Sequence, residues 1–337
     1  MKDKRLLASL LAVVLATCSL SVASVAAPPE QEIDRLIERA MGAFEIPGMA
    51  VSIVYDGEVY YSKGHGLVEI NKSARVDDKT LFQIASVSKA FTAAALAILV
   101  DDGKLDWEDP VIDYLPEFRM YDPWVTREFT IRDLLTHRSG LPLGAGDLLM
   151  FPEAETSREE IIRAMRFLKP STSFRSEYAY DNLMYIIAGE VVGSASGMSF
   201  EEFLETRLLF PLGMTDCAAT LRRVARKATR ATPHVEVDGE LQTTLSLESD
   251  VGAAAGGRNC SARSMALWAS FVLNKGKNAD GDEIVSAAQV EQLLNPVTVL
   301  PTRGYMAEHA GSFLSAYALG WNVSTFYGQP YYSHGGG

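Results

Sequence analysis

Apolar positions recur along this chain with two periods, and the changes of period predict its elements. From Glu30 to Phe44 the apolar residues Ile33, Leu36, Ile37, Ala40 and Met41 fall at helical spacing, which predicts a helix with one buried face. Met49 to Tyr55 and Glu58 to Ser62 are β-branched, aromatic or apolar runs split by Asp56-Gly57, a dipeptide suited to a tight hairpin. Thr80 to Ile84 reads as extended, and Phe91 to Val100 reads as a helix apolar on every side, stopped by Asp101-Asp102-Gly103. The middle of the chain is mostly helical in pattern. Ala316 to Thr325 and Gln329 to Ser333 return to strand character, predicting a sheet with pieces from both ends of the sequence and a helical insertion between them. No internal repeat or low-complexity linker divides the chain.

The first residues follow a different logic. Lys2, Lys4 and Arg5 precede the apolar stretch Leu6 to Leu20, and small residues ending in Val25-Ala26-Ala27 follow. This pattern predicts a secretory signal peptide over residues 1–27, with one folded domain over residues 28–337 and an exported product, periplasmic or secreted. The stretch is about 15 residues, short of the roughly 18 to 20 that cross a bilayer, so no stable membrane span is expected. A lipoprotein anchor at Cys18 is the less favoured reading, because Thr17 is a poor residue before such a cysteine.

Composition narrows the function. Of 337 residues 47% are hydrophobic, which excludes intrinsic disorder, and the net charge of −12 without any lysine-arginine run argues against nucleic acid as a partner. Removing residues 1–27 takes away Lys2, Lys4, Arg5 and Asp3, leaving 28 cations against 42 anions. Cys217 and Cys260 then remain, too few for a disulfide scaffold or a cysteine-based zinc site; two buried thiols are favoured over one bridge, which export would permit. His65, His137, His234, His309 and His334 are scattered without ligand spacing, so neither a metal nor another cofactor is expected.

The chemistry begins at Ser86-Val87-Ser88-Lys89. A serine and a lysine three apart share one helix face, where the amine can reach the serine oxygen. Burial would lower the lysine pKa toward that of a base, and N–H groups at a helix start favour charge developing on an attacked carbonyl oxygen. A chain of this composition produces Ser-x-x-Lys about once by chance, so the pair alone decides nothing. Tyr180-Asp181-Asn182 and His334-Gly335-Gly336 accompany it, and all three patterns in this order arise by chance about 0.02 times.

On these three patterns the chain resembles the serine β-lactamase and penicillin-binding-protein superfamily, in its class C and carboxypeptidase-like esterase branch. Leu134-Leu135-Thr136-His137-Arg138-Ser139-Gly140-Leu141-Pro142, Pro211-Leu212-Gly213-Met214 and Ala255-Gly256-Gly257 extend the resemblance over roughly residues 30–337. It implies an α/β (α+β) fold of the β-lactamase/transpeptidase type, an antiparallel sheet flanked by helices plus a mainly helical lobe, with the site between them. It also implies acyl transfer: Ser86 as nucleophile, Lys89 as base or relay and Tyr180 as proton-exchanging phenol. Asn182, His334 and Gly336 would then contact substrate, with the backbone N–H groups of Ser86 and Gly337 as the oxyanion hole. Ser88, Tyr178 and His137 receive no direct catalytic part, His137 being read as ordering a loop.

Two departures bear on substrate and activity. His334 stands where many β-lactamases and transpeptidases carry lysine, and a neutral imidazole holds a substrate carboxylate less firmly, favouring neutral esters or amides over β-lactams and C-terminal D-alanine. The chain stops at Gly337, where the resemblance implies further strands and a closing helix, so poor solubility and slow turnover are expected. The expected activity is an exported serine hydrolase acting on a small-molecule or peptide substrate; the alternative is a silent or ligand-binding relative.

Overall fold

The computed structural model of the 337-residue chain describes residues 27–150, 156–246 and 250–337. Residues 1–26 of the expected leader, Cys18 included, lie outside them. Helix α1, Glu30–Ala43, buries Ile33 and Ile37 as its spacing predicts, while Ala40 and Met41 are half-buried and Leu36, expected on the same face, is exposed.

From Ala40 onward the chain forms its main unit. Strands β1 (Gly48–Tyr55) and β2 (Glu58–Gly66) pair antiparallel from Gly48↔Gly66 to Tyr55↔Glu58. Asp56 and Gly57 both have positive φ, the backbone of the tight turn their sequence predicts. Strand β3 (Leu81–Gln83) runs antiparallel to β6 (Asn259–Ser261). Helix α2 (Ser88–Asp101) is buried from Ser88 to Leu99, because its alanines and leucines face neighbours on every side. It ends at Asp102 and Gly103, where an aspartate-glycine stop was expected.

Short helices α3 (Val111–Tyr114), α4 (Pro123–Glu128) and α5 (Ile131–Leu135) follow, α5 opened by a reciprocal cap between Thr130 and Asp133. Helix α6 (Arg158–Ala164) leads to α7 (Leu183–Ser196), apolar all round like α2 and packed against it. After α8 (Phe200–Leu204) comes a hairpin of β4 (His234–Val237) and β5 (Glu240–Thr243). The helical reading of this stretch missed that hairpin, although Asp238-Gly239 carries the same turn signal as Asp56-Gly57. Helix α9 (Ala253–Gly256) packs on α2 and α7, α10 (Ala262–Leu273) lies on β1 and β2, and α11 (Ala287–Leu294) packs on α2.

Strand β7 (Thr298–Val299) precedes helix α12 (Tyr305–His309), and β8 (Ser315–Tyr317), β9 (Asn322–Phe326) and β10 (Gln329–Ser333) complete an antiparallel sheet in the order β10-β9-β8-β7. Two expectations are corrected here. The N-terminal hairpin and the C-terminal strands form separate hydrogen-bonded ladders among the described residues, not one sheet. The run Ala316 to Thr325 breaks into two strands at Gly320, whose φ is +82° and where a Cβ would lie 2.9 Å from the Lys89 carbonyl oxygen. A bend without a side chain lets the sheet approach α2 at the lysine of the Ser-x-x-Lys pair.

The favoured pair of free thiols is also corrected: Cys217 and Cys260 are disulfide-bonded across 43 residues, with Cα atoms 4.3 Å apart. Reciprocal backbone bonds between Ala218 and Asn259, at 2.9 and 3.2 Å, bring the two cysteines side by side. That contact is tertiary and has no signature in cysteine spacing.

Candidate active site

Ser86 sits in a single 3₁₀ turn, Ala85–Val87, between β3 and α2, so the serine precedes the helix that carries Lys89. Ala85 has φ of +42°, a left-handed conformation uncommon for a residue with a Cβ, and strain of this kind concentrates at functional turns. The turn is pinned by the Ile84 N–H to the Arg258 carbonyl, while Arg258 Nη1 donates to the Ser88 carbonyl at 2.6 Å.

Lys89 is fully buried. Its Nζ lies 3.0 Å from Ser86 Oγ, 2.8 Å from Asn182 Oδ1 and 2.8 Å from the Ala255 carbonyl oxygen. The Tyr180 hydroxyl donates to Ser86 Oγ at 2.7 Å, and Lys89 Nζ stands 4.9 Å from the centre of the Tyr180 ring. Four of the expected site residues are therefore joined in one network: Lys89 and Tyr180 meet at the Ser86 hydroxyl, and Asn182 holds the lysine amine.

Burial lowers the Lys89 ammonium from its ordinary 10.5 to about 7, against the opposing fields of Asp181 and Asp147. Burial also raises the Tyr180 phenol, with the bond to Ser86 acting the other way, so the phenol keeps its proton at neutral pH. A neutral amine has two N–H donors and one lone pair. Asn182 Oδ1 and the Ala255 carbonyl oxygen are acceptors only, and they take both donors. The lone pair is left facing Ser86, whose Oγ can give it a proton while accepting from Tyr180.

Asp181, between Tyr180 and Asn182, is buried; its Oδ1 accepts the Leu183 N–H at 2.7 Å, and desolvation raises its carboxyl to about 7. Neither Asp181 nor the Ala255 carbonyl was anticipated. The carbonyl belongs to a segment quoted for its resemblance alone, and a backbone oxygen leaves no mark on a side-chain pattern.

The remaining expected residues divide. Gly337 lines a cavity of about 530 Å³ with Ser86, Asn182, Met150, His234 and Leu245. No lysine, arginine, aspartate or glutamate is among the described residues lining it. A Cβ on Gly336 would meet the Ile84 carbonyl oxygen at 2.2 Å, so this glycine brings the end of the β10 segment against the nucleophile turn. His334 is turned to the protein: Nε2 is 2.8 Å from the Tyr317 hydroxyl and Nδ1 is 2.7 Å from the Gly335 carbonyl oxygen. Since that carbonyl can only accept, Nδ1 is assigned the proton and Nε2 accepts from Tyr317. Burial, first, lowers the imidazole below its usual range, so it is neutral at pH 7. Ser88 lies aside, its Oγ accepting the Arg258 N–H at 3.3 Å.

The chain matches the sequence model of the Beta-lactamase family over residues 33–337. It is 29% identical over 323 residues to an unguisins hydrolase of Aspergillus campestris, covering 92% of this chain and 58% of the relative. Protein flp of Staphylococcus aureus is 28% identical over 186 residues, covering 55% of this chain and 37% of the relative. The chain thus spans less than three-fifths of these relatives' length. An octameric penicillin-binding protein homologue from Pyrococcus abyssi superposes with a TM-score of 0.77 at 23% identity, over 92% of this chain and 68% of that one. The fold is of the β-lactamase/transpeptidase type, helices with small antiparallel sheets, and with a match that runs from α1 to the last residue the chain belongs to the Beta-lactamase family.

Proposed function

We propose that this protein is an exported serine hydrolase that forms an acyl-enzyme on Ser86 with neutral ester or amide substrates. The observation that carries the reading is the buried Lys89 Nζ, 3.0 Å from Ser86 Oγ and 2.8 Å from each of two acceptors, Asn182 Oδ1 and the Ala255 carbonyl oxygen; in the neutral amine those acceptors take both N–H groups and the lone pair turns to Ser86. Ser86 Oγ attacks the substrate carbonyl carbon as its proton passes to Lys89 Nζ, giving a tetrahedral oxyanion and an ammonium. Collapse re-forms the carbonyl and breaks the bond to the leaving group, which takes a proton from Tyr180; the Lys89 ammonium then gives up its proton to restore the phenol, since Ser86 Oγ is now an ester oxygen with no proton to pass on. Water then repeats the sequence in reverse roles and releases the acid. The backbone N–H groups of Ser86 and Gly337, both at the cavity, are the proposed oxyanion donors.

The preference for neutral substrates rests on the cavity wall, which among the described residues offers no fixed cation to a carboxylate. His334 does not replace one, since it is neutral and both its nitrogens are engaged. The charged N-terminal pattern supports export, and the Cys217–Cys260 bond suits an oxidising compartment. A fluorophosphonate probe tests the activity: labelling should vanish in Ser86→Ala, and labelling that survives there refutes the assignment. Specificity constants for an activated short-chain ester, a β-lactam and a D-alanyl-D-alanine peptide test the substrate ranking, which a β-lactam in first place would reverse.

A further inference from the structure

His137 was read as a loop-ordering residue, and its surroundings assign it a more specific task. It is fully buried, with a left-handed φ of +51°. Its carbonyl oxygen accepts the Ala179 N–H at 2.7 Å, and its Nδ1 accepts the Asp181 N–H at 3.1 Å. These two peptide groups flank Tyr180 on either side. The imidazole ring also lies 4.2 Å from the Tyr180 ring, tilted by 33°. Tyr317, Tyr185 and Tyr178 surround the same imidazole at 4.7, 5.4 and 5.6 Å.

We propose that His137 is the positioning residue of Tyr180, gripping the backbone on both sides of the phenol and backing its ring so that the hydroxyl stays on Ser86 Oγ. Burial, then the fields of Lys89 and His334, hold the imidazole well below its usual range, which keeps Nδ1 free to accept. The Nε2 proton this implies has no hydrogen-bond partner among the described residues, so the ring is retained at some cost to stability. Residues flanking His137 are tied down as well. Asp133, wholly buried, accepts from Arg138 Nε at 2.8 Å and from Arg175 Nη2 at 2.6 Å. The Arg175 N–H bonds the Arg138 carbonyl at 2.8 Å. The segment bearing His137 is thus a fixed base against which the Tyr180 segment is set.

The inference rests on the reading of Tyr180 as a reacting phenol, and its test separates the two. His137→Asn keeps an acceptor near the Nδ1 position and tolerates a left-handed φ, whereas His137→Gln moves the acceptor one methylene outward. Both are made alone and with Tyr180→Phe, and the burst of a p-nitrophenyl ester gives the maximal acylation rate and half-saturating concentration. His137→Gln should lower the maximal rate by about 10- to 100-fold with half-saturation unchanged, the loss expected from a misplaced reacting group. His137→Asn should recover most of it. In the Tyr180→Phe background His137→Gln should cost nothing further, because the group it positions is gone. An equal loss in both backgrounds, or Asn as slow as Gln, overturns the positioning role and leaves the reading of Tyr180 intact. A parent-like rate in Tyr180→Phe alone overturns both. Should the Gln variant fail to fold, His137→Ala with added imidazole replaces it; imidazole restores the rate if the inference holds, and a folded variant at the parent rate without imidazole refutes it.

Discussion

Lys89→Met retains the length and volume of the buried side chain while removing the amine, and separates the chemical role of the lysine from its stability cost. The folded-state pKa is about 7, against 10.5 for an ordinary lysine. Between those values the unfolded chain binds one more proton than the folded chain, so this group makes stability rise with pH, by up to about 1.4 kcal/mol per pH unit. The contribution is complete above the unfolded pKa and gone below about 7. Methionine lacks it, and also leaves Asn182 Oδ1 and the Ala255 carbonyl without the donor they share, each at a cost of about 1 to 3 kcal/mol where no water replaces it. Equilibrium urea unfolding of both proteins, disulfide intact, should therefore show the variant losing stability relative to the parent by about 2.5 kcal/mol between about pH 7.5 and 9.5. Asp181, deprived of the favourable field of Lys89, ionises later in the variant and acts in the same direction. The parent acylation rate should rise with pH about a midpoint near 7, and the variant should be about 100- to 10,000-fold slower. A stability difference independent of pH over that window would mean that Lys89 remains a cation when folded, and the general-base reading would fail.

Three further outcomes follow from named contacts. Asp133→Asn removes a fully buried carboxylate held by Arg138 and Arg175, and should cost about 3 kcal/mol in urea unfolding, the low end for breaking a buried pair because both arginines reach solvent; parent-like stability would show the pairs to be idle. Replacing Cys217 and Cys260 together by alanine opens a bridge across 43 residues and should cost about 4 kcal/mol in the chain-entropy account, read as a lower midpoint of denaturation; an unchanged midpoint would contradict that account here. Gly336→Ala drives a Cβ to within 2.2 Å of the Ile84 carbonyl oxygen and should slow acylation by about 10- to 100-fold while sparing the melting temperature, since Gly336 is exposed. A parent-like rate in that variant would show that the contact does not position the nucleophile turn.

What could be read from the sequence was local. The spacing of Ser86 and Lys89 places both on one turn, and the structure has Nζ 3.0 Å from Oγ. The period of Ile33 and Ile37, the Asp56-Gly57 turn and the apolar run of α2 were legible for the same reason: backbone geometry repeats every few residues, so a short window contains the whole signal. The order of the three motifs pointed to the fold because chance supplies it so rarely. Tertiary structure decided what depends on distant segments. The Ala255 carbonyl, 166 residues from Lys89, claims the second N–H of the amine, and burial moves the lysine to about 7; neither effect has a local pattern, because acceptors and dielectric come from whatever packs around the group. The same holds for the Cys217–Cys260 bond, set by the pairing of Ala218 with Asn259, and for the split of the Ala316–Thr325 run at Gly320, set by the approach to α2. His137 shows the division most sharply. Its sequence neighbours mark a loop, whereas the grip on both sides of Tyr180 exists only because the chain returns there more than forty residues later.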